Sequence, residues 1–153
     1  MTDAARSLQP PPEEPGTEEA SSSETCSVLV VDDYDDAREM YAEYLEFLGF
    51  EVQTARDGQE AITLARENPP DVILMDLSLP VMSGWDATRF LKQDERTRDI
   101  PVMALTGHVL PMHSEKARQV GCDAFVAKPA LPETVADQIR SLLQKAGGKS
   151  RLR

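Results

Sequence analysis

Apolar and polar positions along this chain alternate between two periods, and the switch repeats. Ser27–Val31 is a short β-rich run that breaks at Asp32-Asp33-Tyr34-Asp35-Asp36. Ala37, Met40, Tyr41, Tyr44, Leu45 and Leu48 then fall at helical spacing, and Gly49 supplies a stop. Glu51–Ala55 is a half-polar strand. Asp57 with Glu60 has the form of a capping box, opening a helix that ends before Pro69-Pro70. Val72–Met75 is apolar throughout, as a strand covered on both faces would be. Leu77–Ser83, with Pro80, reads as a loop. Ala87, Phe90 and Leu91 indicate a third helix and Val102–Leu105 a fourth strand. Pro111 and Gly121 bound a fourth helix with a weak apolar face. Ala124–Ala127 is a fifth strand. Pro132 opens a last helix with Val135, Ile139, Leu142 and Leu143 on one face.

Five strand–helix units in succession predict an α/β fold, a doubly wound five-stranded parallel sheet with helices on both faces. Such sheets often run in the order 2-1-3-4-5, and ligands bind at the carboxyl ends of strands 1 and 3, where the winding reverses. That rule gathers the residues after the strands: Asp32 and Asp33 after strand 1, Asp76 after strand 3, Thr106 after strand 4, Lys128 after strand 5.

Charge marks the boundaries of this unit. The 153 residues carry a formal net charge of −11. Residues 1–25 hold six acids, one base, four prolines and the Ser21–Ser23 run, and are too polar to offset the entropy of ordering them. They are read as a disordered acidic tail, residues 26–145 as the domain, and 146–153 as a short basic tail. Both tails are expected to be inert and solvated. An acidic chain grips neither nucleic acid nor an anionic membrane well. The longest apolar runs, such as Val28–Val31, are four residues, far short of the roughly 20 a membrane span needs. No secretory signal precedes them, and Cys26 and Cys122 have neither disulfide nor metal spacing, so a reduced, cytoplasmic protein is expected.

The predicted grouping of three carboxylates, a hydroxyl and an ammonium has a chemical logic. Neighbouring carboxylates raise one another's pKa unless a cation sits among them, and Mg2+ prefers such oxygen ligands. A carboxylate can attack phosphorus, and Mg2+, a lysine and a hydroxyl can neutralise the transferring oxygens. Each piece also has a plainer reading. The Asp32–Asp36 run suits a helix N-terminus, Asp76 a loop, Thr106-Gly107 a turn, and Lys128-Pro129 surface punctuation. The joint placement after strands 1, 3, 4 and 5 is what favours the chemical reading.

Four segments carry a family resemblance: Val28–Asp33, the run Asp71–Gly84, Ala104-Leu105-Thr106, and Lys128-Pro129. Over about residues 26–145 the chain resembles the flavodoxin-like receiver domain of response regulators in two-component signalling. The resemblance implies Asp76 as phosphoacceptor and Asp33 as a direct Mg2+ ligand. Asp32 would act through a metal-bound water, and the Ser78 backbone carbonyl would complete the metal site. Lys128 would pair with the phosphorylated Asp, with a cis bond to Pro129. Thr106 matches the switch hydroxyl. Phe125 matches its aromatic partner, where many members carry Tyr; Phe can swing inward but offers no hydroxyl. Ser78 and His108 would tune hydrolysis of the acyl phosphate, although His108 reads equally as a solvated loop histidine.

The implied function is a single-domain response regulator, not an enzyme acting on an external substrate. It would take a phosphoryl group from a histidine kinase or phosphotransfer protein. It would signal through a downstream protein partner, by way of the surface of strand 4, the next helix, strand 5 and the last helix. No DNA-binding unit fits in the remaining chain. Asp33-Tyr34-Asp35 also has the Asp-x-Asp form of haloacid-dehalogenase-like phosphatases, but that reading leaves Asp32 and Asp76 idle. A flavodoxin-type electron carrier would need a phosphate-cradling loop where this chain is acidic. A pure interaction module would not need the complete acidic site.

Overall fold

In the computed structural model of the chain, the described residues are 25–79, 82–107, 115 and 118–150. Five strands, β1 (Ser27–Val31), β2 (Glu51–Ala55), β3 (Val72–Asp76), β4 (Val102–Thr106) and β5 (Ala124–Ala127), form one sheet in the order β2-β1-β3-β4-β5. Every pairing is parallel. Four helices, α1 (Asp35–Phe47), α2 (Gly58–Glu67), α3 (Gly84–Gln93) and α4 (Pro132–Ser150), cover it. The predicted doubly wound α/β sheet and its order are therefore what the chain forms. Of the helix expected between β4 and β5, only Glu115, Arg118 and Gln119 are described, as helical, followed by Gly121 at φ 105°. The expected 1–25 tail lies outside the described residues apart from Thr25. The backbone of α4 continues to Ser150, five residues beyond the boundary expected at Lys145.

Alternation along the strands builds two apolar layers. Leu29, Val31, Ile73, Met75, Val102 and Ala104 point to α2 and α3, meeting Ala61, Ile62, Ala65, Ala87 and Leu91. Val28, Val30, Val72, Leu74, Met103 and Leu105 point the other way, onto Tyr41 and Leu45 of α1 and Val135, Ala136 and Ile139 of α4. Each fully buried Val, Leu, Ile or Met side chain among them contributes roughly 1.5–3 kcal/mol against exposure. Both faces of β3 and β4 are covered, which is why those strands are apolar without alternation.

The helix ends follow local chemistry. Gly49, at φ 101°, takes the left-handed turn that stops α1. Phe50 N–H then bonds Leu45 O at 3.0 Å and Gly49 N–H bonds Glu46 O at 2.9 Å, a Schellman closure. Asp57 caps α2 by accepting Glu60 N–H at 2.8 Å, while Glu60 Oε1 reaches Arg56 N–H at 2.8 Å, one residue earlier than in a standard capping box. Ser83 caps α3 through Asp86 N–H. Two residues expected on apolar faces, Met40 and Phe90, are exposed instead. Each lies at the rim of its helix's apolar stripe, where spacing alone does not separate core from edge. Phe90 meets the Arg66 guanidinium there, 5.9 Å from its ring centre.

Candidate functional site

The strand order makes β1 and β3 neighbours, with Val31 paired to Met75. Asp32, one residue on, thus comes beside Asp76, the last residue of β3. Asp32 is buried and Asp33 exposed, and oxygens of Asp32, Asp33 and Asp76 lie within 4.8 Å of one another. The backbone at the strand ends holds them. Asp32 N–H donates to Ala55 O at 3.1 Å and Leu77 N–H to Leu105 O at 3.0 Å. Asp76 Oδ1 accepts Ser78 N–H at 3.0 Å, which fixes the carboxylate plane.

β5 delivers the counter-charge. Lys128 N–H bonds Thr106 O at 2.7 Å, so the two strand ends stay in step. Lys128 Nζ stands 3.2 Å from Asp76 Oδ2 and 3.8 Å from Asp32 Oδ2. The Lys128–Pro129 peptide is cis, as expected. Thr106 ends β4 buried at the same edge. Phe125 is half-buried, pairs with Ala104, and packs on the apolar layer facing α2 and α3. Ser78 is exposed in the turn after Asp76. His108 lies outside the described residues.

The electrostatics are unbalanced. Burial raises the Asp32 carboxyl above its ordinary value, and the Asp76 charge adds to the rise; a hydrogen bond from Tyr34 N–H and the Lys128 charge oppose it. Burial pulls the Lys128 ammonium down, but Asp76 and Asp32 together outweigh it, and its pKa is raised. One lysine cannot neutralise three carboxylates. Asp32 Oδ2 is buried with no hydrogen-bond partner. The remaining charge and this orphaned oxygen fit a hard divalent cation ligated by oxygens.

Asp35 and Asp36 do not join the cluster. They occupy the first turn of α1, where the helix dipole favours acids, so the plainer reading holds for this half of the acidic run. Asp35 pairs with Arg38, and the acids that stand beside Asp33 are Asp32 and Asp76 rather than Asp35.

Three neighbours of the site were not legible in the sequence as its supports. Arg38 Nη1 donates to Asp32 O at 2.9 Å. Tyr41 Oη donates to Ala130 O at 2.8 Å, two residues past Lys128. Gly84 packs so closely that a Cβ there would lie 2.2 Å from Asp76 O. The Tyr41 contact joins segments 89 positions apart, while Arg38 and Gly84 act on the turns just before their own helices.

Comparison with known proteins agrees with this geometry. The profile of the "Response regulator receiver domain" matches residues 28–140. The chain is 40% identical over 122 residues to the polar-differentiation response regulator DivK of Brucella ovis, covering 80% of this chain and 99% of that protein. The solved chemotaxis protein CheY4 of Vibrio cholerae is 32% identical with a TM-score of 0.74, over 76% of this chain and 98% of that one. A CheY-like receiver from Methanospirillum hungatei, at 23% identity and a TM-score of 0.77, shares the fold. Sheet, acidic cluster and sequence agree, and the chain belongs to the response regulator receiver family of two-component signalling.

Proposed function

We propose that this receiver accepts a phosphoryl group on Asp76 in a Mg2+-dependent reaction. The observation that supports this best is the setting of Asp76. It is buried at the end of the central strand, held by Ser78 N–H on one oxygen and Lys128 on the other, beside Asp32 and Asp33. Asp33, Asp76 and the Ser78 backbone carbonyl would hold the ion, with Asp32 acting through a bound water. Mg2+ there would neutralise charge on the transferring phosphoryl oxygens.

A carboxylate oxygen of Asp76 attacks the phosphorus of a phosphohistidine in line. The P–N bond breaks, the imidazole leaves with its electron pair, and an acyl phosphate remains. Lys128 follows the new negative charge, and Thr106 offers its hydroxyl to a phosphoryl oxygen. Phe125 fills the space that Thr106 leaves, by apolar packing alone. The change biases the surface of β4, β5 and α4 between two arrangements, which a downstream protein reads. Water later cleaves the acyl phosphate and restores the carboxylate.

The donor in this reading is a histidine kinase or histidine phosphotransfer protein. The setting is the cytoplasm, where Cys26 and Cys122 stay free. Among the described residues no helix is long and apolar enough to cross a membrane. The test is acetyl phosphate labelling followed by intact mass. The parent protein gains one phosphoryl group with Mg2+ and none with chelator. Labelling without Mg2+, or undiminished labelling of Asp76→Asn, overturns the proposal.

A further inference from the structure

α1 makes one hydrogen bond to each half of the site, and both come from the same face of the helix. Arg38 and Tyr41 stand three residues apart, hence side by side on that face. Arg38 is unusual for a surface-helix cation, because its side chain is only 12% exposed. Asp35 Oδ1 takes Nη2 of the guanidinium, and Nη1 donates to Asp32 O, the carbonyl between the two candidate metal-binding acids. Tyr41 is buried, and burial holds its hydroxyl above the ordinary tyrosine range, so it is protonated and able to donate. It donates to Ala130 O across 89 positions of sequence.

We infer that Arg38 and Tyr41 are positioning residues with separate duties: Arg38 sets the Asp32-Asp33 turn for the cation, and Tyr41 sets the β5–α4 turn that aims Lys128 at the phosphoryl group. This rests on the receiver chemistry proposed above. The geometry separates the duties, because each bond ends on a different loop. Arg38 reaches only the turn after β1. Tyr41 hydrogen-bonds only the turn after β5, although its hydroxyl also lies within Coulomb range of Lys128, Asp32 and Asp76. α1 is itself fixed by Tyr41 and Leu45 in the core beneath it, so it is a rigid strut between the two turns.

Separate duties predict crossed effects, which a general loss of structure does not give. Removing Arg38 takes a positive charge away from a cation site, so Coulomb repulsion alone predicts tighter Mg2+ binding. Positioning predicts the opposite. Lys128 and the cation also compete for the same carboxylates, so loosening Lys128 leaves Mg2+ binding unchanged or tighter.

The experiment is calorimetric titration of the full chain with Mg2+, then with beryllofluoride, a phosphoryl mimic, at saturating Mg2+. Arg38→Met should weaken Mg2+ about threefold to tenfold, the scale of one lost hydrogen bond, and leave beryllofluoride affinity within about twofold. Tyr41→Phe keeps the ring in the core and should leave Mg2+ no weaker, while beryllofluoride weakens about threefold to tenfold. Arg38→Gln replaces the Met variant if that one does not fold. Tighter Mg2+ binding by the Arg38 variants overturns the inference, as does loss of both ligands in either variant or of neither in both. If the parent protein binds no Mg2+ at all, the receiver chemistry itself is overturned, and that failure is told apart by the parent alone.

Discussion

At the amino end of the strands, Lys92 and Asp123 pair at 2.9 Å; at the carboxyl end, Lys128 and Asp76 pair at 3.2 Å. The residue types match but the surroundings differ. Lys92 Nζ has three acceptors for its three protons: Arg98 O, Ile100 O and Asp123 Oδ2. Asp123 Oδ2 also accepts Val102 N–H, and nearby Asp71 Oδ2 accepts Ser27 N–H. Lys92, Asp123 and Asp71 there spend their charge on tying chain segments together. Lys128 instead faces two buried carboxylates, with Asp33 adjacent and one oxygen orphaned. A satisfied cluster stabilises the fold, whereas an unsatisfied one keeps affinity in reserve for a ligand. The size of a cleft does not make this distinction: one of about 890 Å3 opens at the amino end, beside Lys92 and Asp123.

The largest expected effects come from exchanging a member of each pair. Asp76→Asn should abolish acetyl phosphate labelling outright and leave the melting temperature the same or higher, since it removes a charge from a crowded site. Asp123→Ala should do the reverse. It removes one of the three Lys92 acceptors and strands the Val102 N–H, costs roughly 1–3 kcal/mol of stability, and leaves labelling intact. Labelling lost in Asp123→Ala with stability unchanged would break the comparison.

Gly84→Ala probes how tightly the carboxyl end is built. The added Cβ would meet Asp76 O at 2.2 Å and Leu77 Cα at 2.7 Å, both in the turn that carries the proposed phosphoacceptor. Neither is a flexible side-chain end, so the backbone must move. We expect a loss of about 1–3 kcal/mol from overpacking, by chemical melting. Labelling should slow about tenfold to a hundredfold, because a displaced nucleophile is poorly aligned. Full-rate labelling in a destabilised variant would mean that the turn can shift without moving Asp76.

Asp32→Asn measures the imbalance directly. The folded pKa of Asp32 is raised by burial and by Asp76, so its charged form is disfavoured in the fold. A raised carboxyl contributes stability that is fully present below its unfolded value of 3.8 and is lost as pH rises through the folded value. At neutral pH without metal, the Asn variant should therefore be more stable than the parent, on the order of 1 kcal/mol. The gap should close as the pH is lowered. Mg2+ should raise the melting temperature of the parent more than that of the variant. A less stable Asn variant at neutral pH would mean that the Lys128 contact outweighs the burial of Asp32.

The parts legible in the sequence share one property: they are set by local pattern plus topology. The ranges of β1, β2 and β5, the stops at Gly49 and Gly121, and the cap at Asp57 follow from short-range chemistry. Asp32, Asp33, Asp76, Thr106 and Lys128 followed from the rule that a parallel sheet gathers what comes after its strands. Contacts between particular residues of different elements were not legible. Tyr41 with Ala130, Lys92 with Asp123, and Gly84 with Asp76 depend on how one helix seats against a particular turn, which no periodicity encodes. Met40 and Tyr41 show the limit within a single turn: both fit the apolar stripe, yet one is exposed and the other is in the core.

The smallest effect is expected at Cys122, beside the satisfied end. Burial pushes its thiol up to about 11, with Asp123 adding to the rise and Thr88 and Lys92 opposing it. The thiolate is the nucleophile, and three pH units below that value only about one thiol in a thousand is ionised. At mildly alkaline pH, iodoacetamide should therefore label Cys122 slowly in the folded chain and much faster in urea. Phosphorylation should not change the folded rate, because the Lys92–Asp123 pair beside the thiol lies at the opposite end of the strands from Asp76. Peptide mass mapping of alkylated Cys122 against time, with and without acetyl phosphate, reads both points. Fast folded-state labelling would mean that the amino end opens readily despite the Lys92–Asp123 tie. A phosphorylation-dependent rate would mean that the two ends of the sheet are coupled, and that the quiet cluster takes part in the switch.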